Sequence, residues 1–254
     1  MLLISNDDGI DALGLLELEK FLSAHYAITV IAPAVEQSAA SHALTLRDPV
    51  RATRRSESRV AVWGTPADCV YLGLHHFLKR DDVSLVVSGI NKGTNLGTDI
   101  HYSGTVAAAK EGALAGVRSL AVSLDHAPLG AARRDAHWGT AAELACRVVE
   151  RLLQLGDEDP LLWSLNIPDV PHSELKGLRV CRVGRRFYAS DVQLSGEDSY
   201  RIGGPHQRFC DVSGTDGYWF SRGFATLSAL SMDWSLEPRR ALQSETVRAL
   251  EGVL

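Results

Sequence analysis

Short apolar runs alternate with longer amphipathic stretches through the first two thirds of the chain. The runs lie at residues 1–4, 28–32, 60–63, 85–87, 120–123 and 161–167, and most of them end at a polar residue, glycine or proline. Continuous apolar runs of this length, without helical spacing, are typical of strands that are buried on both faces of a parallel sheet. The pattern therefore predicts six core strands.

The stretches between these runs have apolar residues at helical spacing, at residues 13–22, 66–77 and 136–155, and an alanine-rich helix is predicted from Ser103 onward. This alternation predicts an α/β fold with a Rossmann-like, doubly wound and mostly parallel sheet. After about residue 170 the extended pieces become short, which predicts projecting C-terminal β-hairpins. We expect a catalytic core at 1–168, a hairpin and oligomerisation region at 169–235 that returns to the core, and a helix within 236–254.

The composition excludes several classes of function. The 254 residues are 45% hydrophobic and 22% charged with a net charge of -5, so no nucleic acid polymer is expected as a partner. No apolar run is long enough to cross a bilayer and no basic lead-in marks a signal peptide, so no membrane association is expected. The four cysteines lie far apart without a C-x-x-C pair, which predicts reduced thiols in the cytoplasm.

Polar side chains gather where the predicted strands end. They are Asp7, Asp8, Ser38, Asn91, Asn95 and the Ser103-Gly104-Thr105 helix start. Because the carboxyl ends of parallel strands share one edge of a sheet, these side chains can converge. Their oxygens suit Mg²⁺, Mn²⁺ or Ca²⁺ rather than zinc or copper. The helix start offers unpaired N–H groups to an anion, so the joint pattern predicts a cation beside a phosphate site.

Other interpretations of these residues stay open. Taken singly, Ser103 is an ordinary helix cap and the asparagines are turn residues. The sequence has no G-x-G-x-x-G after the first strand, no P-loop and no G-x-S-x-G. A phosphatase that forms an aspartyl-phosphate on Asp7 or Asp8 is one alternative, although the alternating D-x-D pair is missing. A non-catalytic protein that senses nucleotide and metal is another.

The same residues form motifs that resemble the SurE family, the stationary-phase survival-protein nucleotidases. The motifs are Ser5-Asn6-Asp7-Asp8-Gly9, Ala32-Pro33 with Gln37-Ser38-Ala39-Ala40-Ser41, Gly64-Thr65-Pro66-Ala67-Asp68-Cys69-Val70, residues 87–97, and residues 102–112. Weaker similarity continues at Asn166-Ile167-Pro168 and Ser213-Gly214-Thr215-Asp216. The sequence departs from the family pattern at Ala39, where glycine is usual, and at Ser228-Ala229-Leu230, where Thr-Pro-Leu is usual.

The resemblance implies a phosphatase of nucleoside 5′- and 3′-monophosphates, with polyphosphate trimming in some members. It implies one divalent cation per subunit, Mg²⁺ or Mn²⁺, and a homodimer or homotetramer built through an exchanged hairpin. Carried onto this chain, the implied metal ligands are Asp7, Asp8, Ser38 and Asn91. The implied phosphate ligands are Asn95, Ser103, Gly104 and Thr105, and the implied catalytic residues are Asp7, Asp8, Asn95 and Ser103.

Overall fold

A large mixed sheet organises the protein, whose computed structural model describes residues 1–126, 136–188, 192–196, 198–202 and 207–233. The strands are β1 (Leu2–Ser5), β2 (Ile28–Pro33), β3 (Arg51–Ser56), β4 (Arg59–Trp63), β5 (Leu85–Lys92), β6 (Ser119–Leu124), β7 (Leu162–Ile167), β8 (Leu178–Val180), β9 (Arg186–Tyr188), β10 (Val192–Gly196), β11 (Ser199–Ile202), β12 (Gln207–Phe209) and β13 (Ala225–Leu230). The helices are α1 (Leu13–Ser23), α2 (Pro66–Leu72), α3 (Gly104–Leu114), α4 (Trp138–Leu152) and α5 (Asp216–Phe220).

The strand order of the main sheet is β3-β4-β2-β1-β5-β6-β7-β13-β8. The run from β4 through β7 is parallel throughout, whereas β3 and β13 pair antiparallel to their neighbours β4 and β7. After β1 the chain forms β2 and β4 on one side of β1, and it then crosses over to form β5 on the other side. The carboxyl ends of β1 and β5 therefore border the point where strand order reverses, which is where open α/β sheets bind ligands.

Helices cover both faces of the parallel strands. Leu2 and Ile4 of β1 pack in the cluster that contains α1 and α4, while Leu3 between them packs in the cluster that contains α2 and Ala108 of α3. Successive residues of a strand point to opposite faces, so a strand that is buried on both sides must be apolar without alternation. This arrangement confirms the predicted doubly wound fold.

A bulge near the end of β5 sets the register of one candidate residue. Ser88 pairs with Ala121 and Asn91 with Ser123, so Gly89 and Ile90 together oppose one residue of β6. Gly89 has a φ of 137°, and an added Cβ would lie 2.3 Å from the carbonyl oxygen of Val122. Glycine is therefore required for the bulge that brings Asn91 beside Ser123.

The C-terminal third combines projecting hairpins with strands of the main sheet. The strand pairs β10–β11 and β9–β12 form two small antiparallel sheets, while β13 and β8 extend the main one. The predicted helix within 236–254 lies outside the described residues, and the proposed domain boundaries remain predictions. None of the helices in the described ranges is both long and apolar enough to cross a bilayer.

Candidate active site

A tight turn after β1 carries the two leading carboxylates. The Asn6 side chain donates from Nδ2 to the Gly9 carbonyl oxygen at 2.8 Å, and Gly9 has a φ of 104° that closes the turn. The backbone N–H of Gln37 donates to the carbonyl oxygen of Asp7 at 2.8 Å. The loop that follows β2 is thereby joined to the turn that follows β1. Asp7 is buried, and Asp8 is partly exposed to the crevice.

The first turn of α3 packs directly onto Asp7. The Thr105 hydroxyl donates to Asp7 Oδ1 at 2.5 Å, and both residues are buried. A Cβ added to Gly104 would lie 2.8 Å from Asp7 Cβ and 2.9 Å from Asp7 Oδ2. Only a residue without a side chain permits this approach, which brings the positive end of the α3 dipole to the carboxylate.

Burial makes both carboxylates costly to ionise. It raises the pKa of Asp7 to about 6, against the opposing effect of the Thr105 hydroxyl and with a smaller contribution from the charge of Asp8. Burial also raises the pKa of Asp8, while the Lys92 backbone N–H opposes the shift and the charge of Glu36 adds to it. A cation between the two carboxylates would offset these costs, because it stabilises their ionised form.

The end of β5 lies against Asp8. The Lys92 backbone N–H donates to Asp8 Oδ2 at 3.0 Å, and the adjacent Asn91 donates from Nδ2 to the Gly93 carbonyl oxygen at 2.8 Å. Asn91 Nδ2 therefore donates within its own turn, and Oδ1, which accepts electron-poor partners, is the atom suited to a cation. Asp8, which follows β1, and Asn91, near the end of β5, therefore lie at the same edge of the sheet.

Ser38 lies in the loop after β2 and contacts an acid that the sequence did not single out. Its hydroxyl donates to Glu36 Oε1 at 2.7 Å. The next residue, Ala39, has a φ of 58°, the left-handed region in which glycine is favoured. This explains why glycine is usual at that position and shows that alanine still forms the turn. The loop is anchored by Ser41, whose hydroxyl donates to the His101 carbonyl oxygen at 2.8 Å.

The two remaining phosphate candidates have defined partners. Ser103 is the N-cap of α3 and accepts a hydrogen bond from Val106 N–H at 3.1 Å, as predicted. The backbone N–H of Asn95 donates to Asn166 Oδ1 at 2.7 Å, and its Nδ2 donates to Ser123 Oγ at 2.8 Å. Gly97, two residues further on, donates its N–H to a buried carboxylate, Asp216 Oδ2, at 2.7 Å.

The residues fit a hard cation, on the basis of their donor atoms. Among the described residues, no three His, Cys, Asp or Glu side chains gather as a metal cluster. The candidate set instead combines two neighbouring carboxylates with a hydroxyl and an amide oxygen, and oxygen-only sets of this kind suit Mg²⁺, Mn²⁺ or Ca²⁺. Asn6 adds a buried Oδ1 that has no hydrogen-bond partner within the described residues.

These features are typical of α/β proteins that bind phosphates at the switch point of a doubly wound sheet. The model of the family described as Survival protein SurE matches residues 2–190. The chain belongs to the SurE family.

Comparisons with individual proteins agree with this assignment. The chain is 41% identical over 236 residues to the 5′-nucleotidase SurE of Pseudoalteromonas atlantica, with 91% of this chain and 92% of that protein covered. It is 39% identical over 237 residues to the 5′/3′-nucleotidase SurE of Proteus mirabilis, with 91% and 90% covered. The crystal structure of the SurE protein from Aquifex aeolicus superposes with a TM-score of 0.82 at 30% identity, and covers 98% of this chain and 99% of that one.

Proposed function

We propose that this chain hydrolyses nucleoside 5′- and 3′-monophosphates to nucleoside and phosphate, with one divalent cation, Mg²⁺ or Mn²⁺, per subunit. The observation that carries the proposal is the contact between Asp7 and the first turn of α3. It joins a cation-binding carboxylate to an anion-binding helix start, and a phosphomonoester with its cation needs both. The names of the relatives supply the nucleotide as the substrate class.

The proposed roles follow from the contacts. Asp7, Asp8, Ser38 and Asn91 would hold the cation, which supplies Lewis-acid polarisation of a phosphoryl oxygen and activation of a water. Thr105 fixes the Asp7 carboxylate through its hydroxyl, and the Lys92 N–H fixes Asp8.

The phosphate side of the site would be built from α3 and the loop before it. Ser103, Gly104 and the backbone of Thr105 present the helix N-terminus to the phosphate, and Asn95 adds a side-chain amide. Donors of this kind stabilise negative charge on the equatorial oxygens as the ester bond breaks.

A phosphate-release assay tests the proposal. The purified chain is given 5′- and 3′-nucleoside monophosphates and short polyphosphate with Mg²⁺, Mn²⁺ or a chelator. We expect nucleotide hydrolysis that the chelator abolishes and that re-added cation restores. Binding of nucleotide without phosphate release would instead support the sensing alternative. Inhibition by beryllium fluoride through a covalent aspartyl adduct would support the aspartyl-phosphate alternative.

We also propose a homodimer or homotetramer in the cytoplasm. The four cysteines are free thiols, which fits a reducing compartment. Apolar side chains on the projecting strands, Phe187, Leu194 and Tyr200, are exposed and available to a second subunit. Light scattering of the full chain measures the assembly, and a monomeric mass across the working concentration range would contradict it.

A further inference from the structure

A row of polar side chains crosses the sheet beneath the proposed phosphate site. Asn91 of β5 pairs with Ser123 of β6, Ser123 pairs with Asn166 of β7, and Asn166 pairs with Thr226 of β13. Ser123, Asn166 and Thr226 are buried within an otherwise apolar sheet. Burying a polar side chain costs free energy unless the side chain is hydrogen-bonded, so the partners of this row indicate what it does.

Asn95 is held by this row. The Asn166 side chain accepts from the Asn95 backbone N–H at 2.7 Å and donates to the Asn95 carbonyl oxygen at 3.2 Å, so it binds both backbone groups of one residue. Ser123 accepts from the Asn95 side chain at 2.8 Å. One loop residue thus has its backbone and its amide fixed by two neighbouring strands.

We propose that Asn166 is a positioning residue that acts through Asn95, by fixing the Asn95 amide in the orientation that receives a phosphate oxygen. This inference rests on the proposed function, because it takes Asn95 as a phosphate ligand. Ser123 contributes as well, because its hydroxyl oxygen accepts one of the two Nδ2 hydrogens of Asn95 and the other remains to be donated to a ligand. A misplacement of about 1 Å in such a group costs up to about 100-fold in rate.

A double-mutant cycle tests this role. Asn166→Ala should lower kcat/KM by about 10- to 100-fold and weaken competitive inhibition by inorganic phosphate by a similar factor. The Mn²⁺ concentration for half-maximal activity should stay unchanged. In an Asn95→Ala background, Asn166→Ala should lower kcat/KM by no more than about threefold further. The reason is that the effects of two substitutions do not add when one residue acts through the other.

Ser164→Ala is the matched control. Ser164 is buried on the same strand two residues before Asn166 and makes only a 3.4 Å contact with it, so this variant should keep wild-type kinetics within about threefold. If Asn166→Ala does not fold, Asn166→Asp preserves the size and the acceptor for the Asn95 N–H, and the same cycle is run with it. Losses that multiply in the double variant, or an unchanged phosphate inhibition constant, would overturn the inference.

The outcomes separate this inference from the proposed function. A wild-type chain that releases no phosphate from nucleotides contradicts the function, and the inference is then measured by calorimetric binding of inorganic phosphate to wild type and Asn166→Ala. An active wild type whose Asn95→Ala variant keeps full activity overturns the inference alone and leaves the function standing.

Discussion

The Thr105 hydroxyl donates a 2.5 Å hydrogen bond to Asp7 Oδ1, across 98 residues of sequence and from the first turn of a helix to the end of a central strand. Both side chains are buried, so water does not compete for either partner. A hydrogen bond to an ionised group in such a place is worth about 1.5–3 kcal/mol. The state of the Asp7 carboxylate therefore depends on α3.

Thr105→Val should shift the acid limb of the activity profile to higher pH. The Thr105 hydroxyl lowers the pKa of Asp7 against the larger effect of burial, so its removal raises that pKa further and delays ionisation. The measurement is kcat/KM against pH, together with carboxyl titration of the cation-free protein by NMR. Thr105→Ser retains the hydroxyl and should keep the wild-type limb. Coincident limbs for all three proteins would contradict the assigned role of Thr105.

Asp7→Asn should abolish turnover and stabilise the cation-free protein. Folding raises the Asp7 pKa from 3.8 to about 6. The folded wild type therefore becomes less stable as pH rises through that interval, and its stability does not recover at higher pH. The free energy of unfolding of the variant should exceed that of the wild type by an amount that grows between pH 4 and 6 and levels off at about 3 kcal/mol. Denaturant unfolding with a chelator measures it. Added Mn²⁺ should raise the unfolding temperature of the wild type but not that of the variant.

Gly104→Ala should reduce activity far more than the same change elsewhere at a helix start. The added Cβ would meet Asp7 at 2.8 Å, which forces α3 away from β1. We expect a loss of about 100-fold in kcat/KM, as for other displacements near 1 Å. Gly139→Ala in the first turn of α4 is the control, because its Cβ meets nothing closer than 4.0 Å and alanine favours a helix. Equal activity of the two variants would refute the steric argument.

Asp169→Asn should destabilise the protein at neutral pH but not at low pH. Asp169 accepts from the His137 backbone N–H at 2.8 Å and contacts the rings of His137 and His126 at 2.8 Å and 3.0 Å. Burial raises the Asp169 pKa, but these hydrogen bonds outweigh it and hold the pKa below 3.8. A lowered carboxyl pKa adds stability that is complete above 3.8 and is lost as pH falls further.

Thermal unfolding from pH 3 to 8 checks this expectation. The unfolding temperatures of wild type and Asp169→Asn should differ most at pH 7 and converge below pH 4. A constant difference across the range would show that the carboxylate charge has no part in the effect.

Structural features that depend on neighbouring residues could be predicted from the sequence. Strand β1 is an unbroken apolar run because both its faces are buried, and Thr65 with Asp68 forms a capping box at the start of α2, a pattern that neighbouring residues determine. Asp7, Asp8 and Asn91 lie at or just after the ends of neighbouring strands, so their position at one edge of the sheet could be expected from sheet geometry alone. None of these inferences needs knowledge of which distant segment is the partner.

The supporting residues could not be found in this way. Asn166 reaches Asn95 across 71 residues and Asp216 reaches Gly97 across 119, and no periodicity records such a pairing. The bulge at Gly89 was also missed, because a single glycine in a strand does not state which neighbour approaches it. The only signal was the weak motif similarity around Asn166 and Asp216, which gave no role to either residue.

The hydrogen bond between Gly97 and Asp216 affects the order in which the protein folds and gains activity. Asp216 accepts backbone N–H groups from Gly97, Gly184 and Gly217, so a segment near the end of the chain completes a loop near its middle. Closing so long a chain segment is slow compared with forming helices and adjacent strands. On dilution from denaturant, the helical circular dichroism signal should recover before enzymatic activity. During synthesis, the ribosome must release most of the C-terminal third before the nascent chain can become active.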